Sequence, residues 1–168
     1  MADIRIQTED FDPGAEIAAL STGRGDVGAV ASFVGVVRGG GLTAMTLEHY
    51  PAMTVREIGK HVAEAKRRWP LLAVRIVHRV GRLKPGERIV FAAAAAAHRQ
   101  AALEACAFLM DYLKTRAPFW KLEERKGGAE WVEARASDDE AVKRWRKPAA
   151  PRTRRGAPRR RNRSSASR

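Results

Sequence analysis

A chain of 168 residues, 45% of them hydrophobic, has room for one sizeable core and is neither a collagen-like nor a wholly disordered polymer. Its formal charge of +13 is lopsided: ten of the 32 Lys and Arg, and none of the 19 Asp and Glu, fall between Arg146 and Arg168. The first 145 residues are nearly balanced, so the high isoelectric point describes an appendage and not a nucleic-acid-binding fold.

In chain order, Ile4 and Ile6 alternate with polar neighbours in a strand over residues 3–8, and Asp12-Pro13 opens a short helix through about Leu20. Residues 21–26 read as a loop. Val27 to Val37 is a buried strand interrupted by Gly28 and Gly35, where a bulge or a close backbone approach is expected. Met45 to Tyr50 is the next strand, stopped by Pro51. Thr54 and Glu57 have the spacing of a capping box, and Ile58, Val62, Ala65 and Trp69 then line one helical face up to Pro70.

Residues 72–80 and 88–96 form an expected antiparallel pair around the turn at Pro85-Gly86. The alanines after Phe91 favour helix while Ile89-Val90-Phe91 favours strand, and the strand is taken to about Ala96. A helix from His98 to Arg116 carries Ala102, Cys106, Leu109, Met110 and Leu113 on one face and ends before Pro118. Strands over 119–125 and 130–135, a turn at Gly127-Gly128 and a short helix over 137–145 complete a body of 1–145. From Lys147 no apolar residue is larger than alanine, so the Arg-rich tail of 146–168 is expected to be disordered.

The single cysteine excludes a disulfide framework and a multi-cysteine metal site, and its place on the apolar helix face makes it a packing residue. The first residues lack a basic region leading into an apolar stretch, and no run approaches the ~20 residues of a membrane span. A cytoplasmic location is expected.

No Walker loop, dinucleotide fingerprint, His-Glu-x-x-His or Gly-x-Ser-x-Gly occurs. What remains is a set of cations at element ends: Arg38 after a strand, His98 and Arg99 at a helix start, Lys114 in that helix's last turn and Lys121 just past Pro118. Singly, each could be a solvated side chain or a complement to the helix dipole. Together they describe an anion pocket: arginine offers a bidentate fork to phosphate, a helix start offers free N–H groups, and amines crowded by like charge reach the neutral form that a base or nucleophile needs.

The segment from Asp111 to Lys121, Asp-Tyr-Leu-Lys-Thr-Arg-Ala-Pro-Phe-Trp-Lys, resembles the signature of the MoaE family, the catalytic large subunits of molybdopterin synthase. Gly28 to Arg38, Leu47 to Pro51, His78 to Gly81, Trp131 to Arg135 and Lys143 to Trp145 agree with it in order and spacing. The resemblance implies an α+β fold of the α/β hammerhead type with a mainly antiparallel sheet. It also implies a homodimer within a heterotetramer, each copy bound by a small ubiquitin-like sulfur carrier with a C-terminal Gly-Gly thiocarboxylate. Sulfur would pass from that thiocarboxylate to cyclic pyranopterin monophosphate, the two transfers making the dithiolene of molybdopterin, with no resident cofactor or metal in this chain. Carried over by position, Lys114 and Lys121 are the implied catalytic pair. Val36, Val37, Arg38, His98, Arg99, Lys121, Leu122, Glu123 and Arg135 are the implied substrate-binding residues, Leu122 standing where the family pattern has a polar side chain.

Spacing adds a constraint. Arg99 and Lys114 lie 15 residues apart on one expected helix, hence roughly 22 Å apart along its axis, further than one pterin monophosphate reaches. A pocket composed of Lys114, Lys121 and Arg38 from one subunit with His98, Arg99 and Arg135 from its mate is therefore expected. Two alternatives stand beside the enzyme: a nucleic-acid binder working through the tail, and a non-catalytic scaffold for a ubiquitin-like partner.

Overall fold

The run Arg88–Ala96 organises the molecule. A computed structural model describes residues 1–132 and 136–146, and in it this run is a strand whose residues from Val90 to Ala96 are all buried. Its side chains alternate between two cores. Phe91, Ala93 and Ala95 meet Phe11 and Leu20, while Val90, Ala92, Ala94 and Ala96 meet the other helices. A strand covered on both faces can use alanine, because a methyl side chain lets a helix lie close. Tertiary burial here outweighs alanine's preference for helix.

The described elements in order are β1 (Ala2–Gln7), α1 (Pro13–Ser21), β2 (Ala29–Val36), β3 (Leu42–His49), α2 (Pro51–Arg68), β4 (Leu71–Arg79), β5 (Gly81–Leu83), β6 (Arg88–Ala96), α3 (Arg99–Thr115), β7 (Phe119–Arg125), β8 (Gly128–Val132) and α4 (Ala136–Lys143), followed by a 3-10 turn at Arg144–Arg146. Sheet A has the order β1-β4-β6-β2, with β1 parallel to β4 and the other pairs antiparallel. Sheet B has the order β5-β3-β7-β8 and is antiparallel throughout. The result is the expected α+β architecture with mainly antiparallel pairing.

Of the two glycines expected to interrupt this strand, Gly28 lies just before β2 and Gly35 within it, and a side chain at either would be crowded. A Cβ on Gly28 would stand 2.3 Å from the carbonyl oxygen of Ala97, and the register against β6 slips between Gly35 and Val36. The capping box at Thr54 and Glu57, in contrast, does not form. Proline sets the backbone for a first helical turn, so α2 starts at Pro51 with Tyr50 as its N-cap. Thr54 is buried inside the helix, and its hydroxyl donates to the Pro118 carbonyl at 3.4 Å. A second difference lies between β4 and β6, which do pair as expected: Gly81–Leu83 leaves sheet A and becomes the edge of sheet B beside β3. β3 itself begins at Leu42, earlier than the expected Met45.

α3 packs its Ala101, Ala102, Ala105 and Cys106 on the alanines of β6, and Phe108, Leu109 and Leu113 join Ile58 and Val62 of α2. The end of the body is fastened there too: the Trp145 indole N–H donates to Asp111 at 2.7 Å, and Arg68 donates to the Trp145 carbonyl at 2.7 Å. The expected strand end at 133–135 and the tail 147–168 lie outside the described residues.

Candidate active site

β2 delivers Arg38 to a short loop. Val36 is half exposed, but Val37 is only 2% exposed and packs with Met45, Leu47 and Leu83. Its N–H donates to Glu87 O at 2.9 Å and its carbonyl accepts from Gly86 N–H at 2.8 Å. Arg38 follows, exposed, ahead of Gly39-Gly40-Gly41. Within that loop Leu42 N–H donates to Gly39 O at 3.1 Å, and the chain enters β3.

β7 supplies the second part. Lys121 stands opposite Leu47 and Glu123 opposite Met45, so both project from the sheet B face that carries the Val37 core. Lys121 Nζ lies 3.2 Å from Glu123 Oε1, and Arg125 Nη2 donates to Glu123 Oε2 at 2.9 Å. Partial burial works against the Glu123 carboxylate, but the bonds from Arg125 and Lys121 outweigh it and hold the carboxyl below its ordinary range. Arg125 also reaches the glycine loop, donating from Nη1 to Gly40 O at 2.9 Å. Leu122, between these residues, projects to the other face with Thr46 and Trp131 and offers the Lys121 side only its backbone.

Lys114 occupies the last turn of α3 on an exposed position. Arg116 N–H donates to Tyr112 O at 2.8 Å to close the helix, and Phe119 N–H donates to Ala117 O at 2.8 Å in the corner that follows. The bond from Thr54 to Pro118 O ties this corner to α2. Phe119 opens β7 on the same face as Lys121 and stacks on His78, ring centroids 3.9 Å apart. His78 Nδ1 donates to Arg79 O at 2.8 Å, so its neutral tautomer keeps the proton on Nδ1, and burial pushes its pKa down to about 4.

His98 and Arg99 stand at the opposite end of α3, both exposed. The helix runs unbroken between Arg99 and Lys114, so the separation of roughly 22 Å expected from 1.5 Å per residue holds within one chain. The structure thus joins Arg38's loop, Lys121 and Glu123, sets Lys114 just across the proline corner, and keeps His98 and Arg99 away. Arg135 lies outside the described residues. Cys106 is buried, donates weakly to Ala92 O, and has its pKa pushed up to about 11 by burial, the behaviour of a packing thiol.

Two features escape a reading by motif. Arg125, in a run of charges, gives no sign that it reaches a loop 85 positions away. The outer face of sheet B carries an open cleft of about 470 Å³ lined by Glu48, His49, Tyr50, Trp120 and Trp131. Period-two alternation of Trp120 with Lys121 is the signal that separates this face from the other.

Residues 6–116 match the family model described as MoaE protein. The chain is 58% identical over 147 residues to the molybdopterin synthase catalytic subunit of Mesorhizobium japonicum, which covers 85% of this chain and 92% of that one. It is 56% identical over 146 residues to the protein of the same name from Pseudomonas aeruginosa, at 84% and 97% coverage. Among solved structures, the molybdopterin biosynthesis MoaE protein from Burkholderia ambifaria superposes with a TM-score of 0.77 at 56% identity, covering 86% of this chain and 98% of that one. These likenesses define a class first, the sulfurtransferases that form molybdopterin. The chain belongs to the MoaE family.

Proposed function

We propose that this chain passes sulfur from the C-terminal thiocarboxylate of a small ubiquitin-like carrier to cyclic pyranopterin monophosphate, building the dithiolene of molybdopterin. One observation carries the reading. A continuous set of hydrogen bonds and ion pairs runs from Lys121 through Glu123 and Arg125 to the loop of Arg38, placing an amine and an anion-binding guanidinium on one framework beside Lys114's corner. Relatives named as catalytic subunits support a companion subunit, which in this proposal is the carrier, bound in a heterotetramer built on a homodimer of this chain. None of the helices among the described residues is long and apolar enough to cross a membrane. Membership of a family of molybdopterin-forming enzymes supports a cytoplasmic reaction.

Arg38 holds the substrate phosphate as a bidentate partner, with the exposed Val36 and the backbone of Val37 beside it. The carrier's sulfur forms a bond to a side-chain carbon of the pterin as a carbon–oxygen bond at that carbon breaks, the oxygen leaving on the opened cyclic phosphate in one transfer and as water in the other. Cleavage of the acyl–sulfur bond by water then returns the carrier as a carboxylate, so each transfer consumes one thiocarboxylate and one water. Lys114 shuttles the protons of these steps or transiently holds the acyl group. Lys121, fixed by Glu123, stabilises the developing charge. His98, Arg99 and Arg135 enter from the dimer mate, because one α3 cannot bring both its ends to one substrate. No resident metal or cofactor is required by this scheme. Residues 1–145 contain the catalytic unit.

The test is reconstitution: the purified chain, a thiocarboxylated carrier and the pterin precursor should yield dithiolene product. Lys114→Arg should lower the rate about 100-fold or more, since a guanidinium keeps its proton. Retention of most sulfur transfer by that variant would remove Lys114 from the chemistry.

A further inference from the structure

The geometry points to Arg125 as a positioning residue for the anion site, acting through the glycine loop that carries Arg38. This rests on the proposed role of Arg38 in holding the substrate phosphate. Arg38 is pinned on its N-terminal side, where Val37 exchanges backbone hydrogen bonds with Gly86 and Glu87. On its C-terminal side stand three glycines, and Gly40 and Gly41 have φ of +61° and +85°. Such a run has more backbone freedom to lose than any other, so unaided it would leave Arg38 on a loose tether.

Arg125 removes that freedom. Its Nη1 donates to Gly40 O at 2.9 Å, and a Cβ on Gly41 would stand only 3.3 Å from the same nitrogen. Its Nη2 is held by Glu123, whose other oxygen is 3.2 Å from Lys121. The guanidinium fork therefore spans two structures: the loop on one prong, the carboxylate that orients Lys121 on the other. It sits at the end of β7, where Arg125 pairs with Leu42 as the loop enters β3. A planar fork suits this task; a single ammonium does not reach both acceptors in a fixed geometry.

The experiment is steady-state sulfur transfer with saturating carrier and varied pterin, run on the full chain and on Arg125→Ala, Arg125→Lys, Arg38→Ala and the Arg38→Ala/Arg125→Ala pair. Losing the hydrogen bond that orders the loop should raise KM about threefold or more, and because Lys121 keeps its own ion pair to Glu123 when Arg125 is removed, kcat should fall by less than KM rises. In the Arg38→Ala background the second substitution should add nothing, because the residue through which it acts is gone. Arg125→Lys should stay near the alanine value. An unchanged KM in Arg125→Ala, equal increases in both backgrounds, or full recovery by lysine would each overturn the role. If Arg38→Ala itself leaves KM unchanged, the anion-site reading fails, and the role of Arg125 falls with it by a result distinct from the other three.

Discussion

β6 and β7 are both interior strands of four-stranded sheets, and they are built on opposite terms. β6 is roofed by helices on both faces and is buried from Val90 to Ala96, five of those positions being alanine. β7, Phe-Trp-Lys-Leu-Glu-Glu-Arg, has no fully buried residue and is crossed by ion pairs to Glu123 and from Arg82 to Glu124. One strand spends its side chains on packing and the other on presenting charge. Packing is thereby concentrated in sheet A and charge in sheet B, so with the proposed site on sheet B, damage to each should read out differently.

The largest expected effect breaks sheet A. Phe91→Ala empties a fully buried ring site that packs on Phe11, and should cost about 3–5 kcal/mol in denaturant or thermal unfolding. Lys121→Ala in sheet B should instead abolish most sulfur transfer with little change in the unfolding midpoint, since its ion pair is partly exposed. A midpoint drop in Lys121→Ala matching that of Phe91→Ala would erase the contrast.

His78 tests the seam, because it is the penultimate residue of β4 in sheet A and stacks on Phe119 of β7. Its folded pKa of about 4 lies below the unfolded value near 6.5, so the unfolded chain binds the extra proton first. Stability is then full above about pH 6.5 and falls as pH drops toward 4, at up to about 1.4 kcal/mol per pH unit. His78→Phe should flatten that slope in unfolding measured from pH 7 to 4; an unaltered slope would place the acid sensitivity elsewhere.

A smaller, partial effect concerns the two ends of α3. Mixing Lys114→Ala chains with Arg99→Ala chains should recover some of the activity that neither has alone, through one intact site per mixed dimer. No recovery would count against a shared pocket. Smallest of all, removing residues 147–168 should leave sulfur transfer unchanged and abolish any salt-sensitive nucleic-acid binding.

The parts of the fold that periodicity controls could be read from the sequence. The apolar stripe of α2, the alternation of β1 and the extent of β6 follow from residues that make local choices agreeing with their burial. Features set by distant partners could not be read. Thr54 looks like a cap in isolation, but Pro51 starts the helix earlier and Pro118 accepts the hydroxyl. Gly81–Leu83 changes sheet because β3 offers an edge, which no residue in that tripeptide announces. At the candidate site, the cations at element ends were visible as types, and the family resemblance supplied their order of importance. The bridge from Arg125 to Gly40 joins residues far apart in the chain and has no local pattern. The opposed directions of Leu122 and Lys121 follow from the strand pleat once β7 is recognised.

α3 has one more consequence as a rigid rod. Its 17 residues carry Lys114 near one terminus and Arg99 at the other, with no break between them. The gap between the two cationic stations is a matter of helical pitch, so loop length cannot adjust it. Splicing one extra turn into the exposed side would push the stations about 5.4 Å further apart, and a pair of subunits meeting around a single small molecule would lose its fit without losing any charged group.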